Sequence, residues 1–291
     1  MLIAPTPRLI LETLLPHLKV AAAYAHHIQP LIATLPAKTA EDNFFAAALT
    51  DADLAVQNLV EVALLGTFPE LRFYGEEHEQ SRNTKYFRGI TLDPKSDYLV
   101  TLDPIDGTQF YLDGHRNYQI IVTVLTPTDY AAVLALSPAL DRYYYALKGE
   151  GTFVGRLGDG LETCSPLRLP STMTAPILLG WGMNTLAPFL QPKYEVIDLA
   201  TAYSSTVQIP NLNGILSGEI AGAVIRAGKW IDGAALAFLA REAGCTVTTL
   251  AGQPLPPLHT CEDYSLPGLI IATSPTIQQH LLMATQQARY K

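Results

Sequence analysis

Two aspartates three residues apart follow an apolar run, in Asp103-Pro104-Ile105-Asp106-Gly107-Thr108. Carboxylates at that spacing, with a backbone carbonyl between them, are hard oxygen ligands of the kind Mg²⁺ takes. Crowded together they repel each other unless a cation offsets their charge. Pro104 stiffens the turn, and Gly107 lets the backbone come close to a ligand. If Gly107 and Thr108 open a helix, their N–H groups can receive a phosphate. The chemistry this points to is metal-assisted work on a phosphate ester. Read alone, the same six residues also fit a plain Asp-rich turn with a capping aspartate.

Two further clusters share this character. Gly75-Glu76-Glu77-His78 lies just past another apolar run. One of its glutamates could complete a metal site, although an isolated pair of this kind equally reads as a solvated acidic loop. His78 reads as a surface histidine. Trp230-Ile231-Asp232-Gly233-Ala234-Ala235 precedes an apolar helical stretch. Asp232 stands where an N-cap would, so capping is its simplest role.

These residues need elements to hold them. Residues 71–74 and 98–102 read as short strands that deliver the glutamate pair and the first aspartate at Asp103-Pro104. Residues 120–125 and 131–136 read as a strand pair around Thr126-Pro127-Thr128-Asp129, and 143–146 as a third strand closed by Gly149-Glu150-Gly151. Helical periodicity runs over about 8–35, interrupted by Pro16 and Pro30, and again over about 40–65. Beyond Leu161 the pattern is mixed α/β: a strand at 177–180, a helix over 233–243 ending at Gly244, a strand at 269–272 and a terminal helix to about Ala288. The division between halves is expected at 158/159.

Composition narrows the function classes. The chain has 291 residues, of which 48% are hydrophobic and 16% charged, with a net charge of −8. That supports a sizeable core and argues against binding a nucleic acid polymer or an anionic membrane, since lysines and arginines come singly. No apolar run approaches membrane-spanning length. The start, Met1-Leu2-Ile3-Ala4-Pro5, lacks the basic and apolar regions of a signal peptide. Cys164, Cys245 and Cys261 form no CxxC pair, which disfavours zinc and suits reduced thiols in a cytoplasm.

In order and spacing, the three clusters together resemble the inositol monophosphatase family, part of the lithium-sensitive, magnesium-dependent phosphatase superfamily. Lys148-Gly149-Glu150-Gly151-Thr152-Phe153 and the stretch from Asp232 to Gly252 are similar to it as well. The resemblance implies an α+β or α/β fold, a layered α-β-α-β-α sandwich shared with fructose-1,6-bisphosphatase. It also implies two or three Mg²⁺ ions per site and a homodimer. Glu76, Asp103, the Ile105 carbonyl, Asp106 and Asp232 match the family's metal ligands. Asp106, Gly107 and Thr108 match its phosphate-binding residues. Glu76 and Thr108 match the groups that orient the attacking water, and Asp53 matches an upstream supporting aspartate, with Asp51 competing for that place.

Departures bear on substrate. Ile231 intervenes where the family usually has Trp directly before the aspartate. No carboxylate stands in Ala223–Lys229, where inositol-specific members carry a glutamate; Arg226 and Lys229 are the polar groups there, as substrate contacts or as solvated charges. The expected substrate is inositol monophosphate or a related sugar or polyol phosphate. Alternatives are a 3′(2′),5′-bisphosphate nucleotide, fructose 1,6-bisphosphate or histidinol phosphate and, in a different class, a non-catalytic binding protein on the same fold.

Overall fold

The structure is a computed structural model that describes residues 5–32, 50–77, 98–169, 175–226 and 228–289. His78, residues 33–35 of the first expected helix and 40–49 of the second lie outside the described residues. The chain forms two compact units, Met1–Pro166 and Leu167–Lys291.

The first unit is a seven-stranded sheet in sequential order. Its strands are β1 (Arg72–Gly75), β2 (Leu99–Asp106), β3 (Gln119–Leu125), β4 (Tyr130–Ser137), β5 (Arg142–Leu147), β6 (Thr152–Gly155) and β7 (Ser165–Pro166). β1 and β2 run parallel, and every later neighbour is antiparallel. Because β7 pairs with β6, residues past the expected division belong to this unit. Helices α1 (Pro7–Ile28) and α2 (Asp51–Thr67) pack on each other and on the sheet. Their buried Leu11, Leu14, Leu18, Val56, Val60 and Leu64 share one core with Val100, Leu102, Ile120, Val122, Leu134 and Tyr145. The strand residues in that core alternate, as one face of a pleat requires.

Pro16 does not interrupt the first helix. It sits inside α1, which runs unbroken to Ile28, with Pro30 in the 3₁₀ turn that follows. A proline forfeits one intrahelical bond, and here the fully buried Leu14, Leu15 and Leu18 around it hold the helix in place.

The second unit has a five-stranded mixed sheet in the order β12-β14-β10-β8-β9. These strands are β8 (Ile177–Leu179), β9 (Val196–Asp198), β10 (Gly222–Ile225), β12 (Thr246–Thr249) and β14 (Leu269–Ala272), and a two-stranded ladder joins β11 (Gly228–Lys229) to β13 (Ser265–Leu266). Helix α5 (Pro275–Arg289) sets Ile277, Leu281 and Ala284 against Ile177, Val224 and Ile270. Helix α4 (Gly233–Glu242) is apolar nearly all round, and seven of its residues are buried. Among the described residues no helix is long and apolar enough to cross a membrane.

Candidate active site

In the first unit the acidic residues gather where β1 and β2 end. The parallel register pairs Gly75 with Leu102, so Glu76 and Asp103 leave neighbouring strands at the same level. The Glu76 N–H donates to the Leu102 carbonyl at 2.9 Å and fixes that level. Asp103 is 3% exposed, whereas Glu76 is partly exposed. Glu77 turns the other way: it is buried, and its N–H donates to Gln57 Oε1 at 2.9 Å.

The strand does not stop at Asp103-Pro104. β2 continues to Asp106 across a bulge: Asp103 pairs with Ile121 and Asp106 with Gln119, three steps on β2 against two on β3. An extra residue of this kind bends a strand and re-aims its side chains, and here it is what brings two aspartates to one strand end. Gly107 then takes φ +84°, a left-handed conformation favoured by glycine, and starts the short helix α3 (Thr108–Leu112). The Thr108 hydroxyl donates to the Ile105 carbonyl at 2.9 Å. Its proton is thereby committed, and its lone pairs remain as acceptors.

Two contacts anchor this turn from behind. Tyr111 donates its hydroxyl to the Ala25 carbonyl at 2.7 Å. Burial above all, then Tyr118 and Asp53, pushes the Tyr111 phenol well above its usual range, so it stays a neutral donor. Gln29 Nε2 donates to the carbonyls of Tyr111 and His115 at 3.0 and 2.9 Å.

On α2, Asp53 and Asp51 differ sharply. Asp53 is 1% exposed and closes a capping box, its Oδ2 accepting from the Thr50 N–H at 2.8 Å and the Thr50 hydroxyl at 2.6 Å. Asp51 is exposed. Asp53, Gln57 and Glu61 form a buried polar stripe at helical spacing, and the two later members were missed in the sequence. A polar residue at every fourth position on an otherwise apolar face was the signal.

In the second unit Asp232 occupies the N-cap position of α4 but does not cap it with its side chain. Oδ1 accepts the Lys229 N–H at 2.9 Å instead, closing a turn on the preceding residues. Its simplest sequence role, capping, is therefore corrected: Asp232 stands at the N-cap position, but its carboxylate takes the Lys229 N–H and makes no capping bond to the helix. Arg226 and Lys229 are both exposed, and Arg226 lies against the left-handed turn at Gly182, at the carboxyl end of β8.

In the first unit the candidate donors are all oxygen: the carboxylates of Glu76, Asp103 and Asp106 and the Ile105 carbonyl. That chemistry fits a hard divalent cation. Among the described residues, no three His, Cys, Asp or Glu side chains are gathered closely enough to hold an ion. In the first unit Glu76 and Asp103 stand at adjacent strand ends, with Asp106 beyond the bulge.

The profile of the inositol monophosphatase family matches residues 17–290. This chain belongs to the inositol monophosphatase family. The family's members are phosphatases, and the chain is a phosphoric monoester hydrolase of that class. A probable inositol 1-monophosphatase ImpA of Mycobacterium tuberculosis is 29% identical over 218 residues, 72% of this chain and 73% of that protein. A histidinol-phosphatase of the same organism is 29% identical over 213 residues, 70% and 75% of the two chains. A protein of Streptomyces griseus named glucose-1-phosphate thymidylyltransferase is 28% identical over 207 residues, 70% and 73%. That name denotes nucleotidyl transfer, a different reaction, and the family profile across nearly the whole chain decides the assignment.

Solved structures agree on the fold. An IMPase/NADP phosphatase complexed with NADP and Ca²⁺ superposes with a TM-score of 0.71 at 17% identity, covering 97% of each chain. A staphylococcal inositol monophosphatase-1, in a LiCl-soaked inhibitory complex, gives 0.69 at 17% identity over 96% and 95%. The expected inositol monophosphatase fold is the one found.

Proposed function

We infer that this enzyme hydrolyses a small phosphate monoester with the help of Mg²⁺, two or three ions per site, held by Glu76, Asp103, the Ile105 carbonyl, Asp106 and Asp232. The observation that carries the reading is the level exit of Glu76 and Asp103 from parallel strands, with Asp106 delivered beside them by the β2 bulge. Magnesium, when bound, supplies Lewis acidity that activates water and offsets charge on the leaving oxygen.

The chain's own residues do the rest. Gly107 and Thr108 present backbone N–H groups to the phosphate, where the left-handed glycine opens the turn. With its proton given to Ile105, the Thr108 oxygen accepts a hydrogen bond from the attacking water and orients it. Glu76, partly exposed, takes the other side of that water. Buried Asp53 holds the start of α2 rigid through Thr50 and supports the site from behind. No Ser, Cys or His nucleophile is required.

The substrate class follows from the family: inositol monophosphate or a related sugar or polyol phosphate. The exposed Arg226, in place of an expected carboxylate, favours a second anionic group, because an Arg–phosphate pair is strong and bidentate. The likeness to a histidinol-phosphatase and to an NADP phosphatase supports keeping such substrates in view. The reading also carries a cytoplasmic homodimer inhibited by lithium.

The experiment is phosphate release from inositol 1-phosphate, histidinol phosphate and a nucleotide bisphosphate, with Mg²⁺, with chelator and with millimolar Li⁺, in wild type and Arg226→Ala. Mg²⁺-dependent, Li⁺-sensitive release is expected. Arg226→Ala is expected to lower kcat/KM for the bisphosphate by about tenfold, roughly 1.4 kcal/mol, and to spare the monophosphates. A change below twofold on every substrate removes the argument for a second anionic group.

A further inference from the structure

Gln119 opens β3 and is fully buried. Across the β2–β3 ladder it faces Asp106, at the register position just beyond the bulge. Its Nε2 donates to Asp106 Oδ2 at 3.2 Å. Among the described residues no donor reaches its other amide atom, the buried Oε1. The orientation is not arbitrary, because a flipped amide would set its oxygen against the Asp106 carboxylate.

A fully buried amide with one unsatisfied end destabilises a fold relative to an apolar side chain of similar size. Every other β3 residue from Ile120 to Leu125 is apolar except Thr123, whose hydroxyl is bonded to Thr101 across the ladder at 2.6 Å. Gln119 is thus the member of β3 whose polarity the sheet does not use. What it does reach is the carboxylate that the β2 bulge has re-aimed. An N–H bonded to one carboxylate oxygen fixes the plane of the group and so aims the remaining lone pairs.

We propose that Gln119 is a positioning residue for metal binding, holding Asp106 in the orientation that accepts a divalent cation at some cost to stability. This rests on the reading of Asp106 as a metal ligand. Donors of this kind behind a ligating carboxylate typically account for a 10- to 100-fold change in metal affinity when removed.

The test separates the two claims. Mn²⁺ binding to the purified full chain is followed by the loss of the free-ion electron paramagnetic resonance signal, with no substrate present. Wild type, Asp106→Asn, Gln119→Met and the double variant are compared, and thermal midpoints are recorded for each. Methionine keeps the volume and removes both amide atoms. Gln119→Met is expected to weaken Mn²⁺ binding about tenfold while its thermal midpoint stays level or rises. In the Asp106→Asn background, the same change is expected to alter binding by less than twofold, since its effect travels through Asp106. Should Gln119→Met fold poorly, Gln119→Leu repeats the measurement with another shape. If Asp106→Asn weakens binding and neither Gln119 variant does, the positioning role is overturned. The same holds if the Gln119 loss is equally large with and without Asp106. If Asp106→Asn itself leaves Mn²⁺ binding unchanged, the ligand reading of Asp106 fails first.

Discussion

Asp103 and Asp53 are both almost wholly removed from water, and carboxylates are buried at a cost that needs compensation. For Asp53 the compensation is local: the Thr50 N–H and hydroxyl meet it within the first turn of α2. Asp51, two residues earlier, is exposed; both sit in the acidic first turn that helices favour, and only Asp53 stands at the capping-box spacing from Thr50 and in step with Gln57 and Glu61. A different residue gives a test in pH. Burial pushes the Cys245 thiol up to about 12 from an ordinary 9.0. A group whose pKa is raised by folding contributes its stability in full below the unfolded value and loses it as pH rises through the folded one. Stability should therefore fall between about pH 9 and 12, with a limiting slope of about 1.4 kcal/mol per pH unit. Urea midpoints at pH 8.5 and 10.5 for wild type and Cys245→Ala check this. The tyrosines titrate in both proteins, so the steeper fall in wild type belongs to Cys245, and parallel slopes would contradict the assignment.

At the scale of elements, the strands were legible where apolar runs met turn residues. The β3–β4 hairpin and β14 stand within a residue or so of their expected places. The bulge in β2 was not legible: a proline between two aspartates reads as a strand end, and only pairing with β3 reveals that the ladder resumes at Asp106. Gln119 was invisible for a related reason, since its value lies in a partner across the sheet and not in neighbours along the chain. Gly75 shows how tightly such partners are set. A Cβ there would stand 2.2 Å from Gln57 Oε1, the atom that receives the Glu77 N–H. Gly75→Ala must push Gln57 aside and loosen the turn that carries Glu76. Overpacking of this kind costs about 1–3 kcal/mol, so a lowered thermal midpoint and at least a tenfold loss of kcat/KM are expected. Adding Gln57→Ala should restore much of the midpoint but not the activity. A Gly75→Ala protein with wild-type midpoint and rate would show that the turn tolerates the shift.

For the whole molecule, a net charge of −8 coexists with an anionic substrate. The net field of the protein therefore opposes capture of a phosphate ester, and on the proposed function attraction is local, from a divalent ion held by Glu76, Asp103 and Asp106. On that proposal Asp103, buried at the level of Glu76, is the ligand whose loss tells most. The direct measurement is phosphate release from inositol 1-phosphate by protein stripped with chelator, titrated with Mg²⁺, in wild type and Asp103→Asn. Wild type is expected to be silent without Mg²⁺ and to recover on adding it. Asp103→Asn, folded by circular dichroism, is expected to lose on the order of 10³-fold at saturating Mg²⁺, or about 4 kcal/mol of transition-state stabilisation. Turnover by the stripped wild type, or a near wild-type rate for Asp103→Asn, would contradict it.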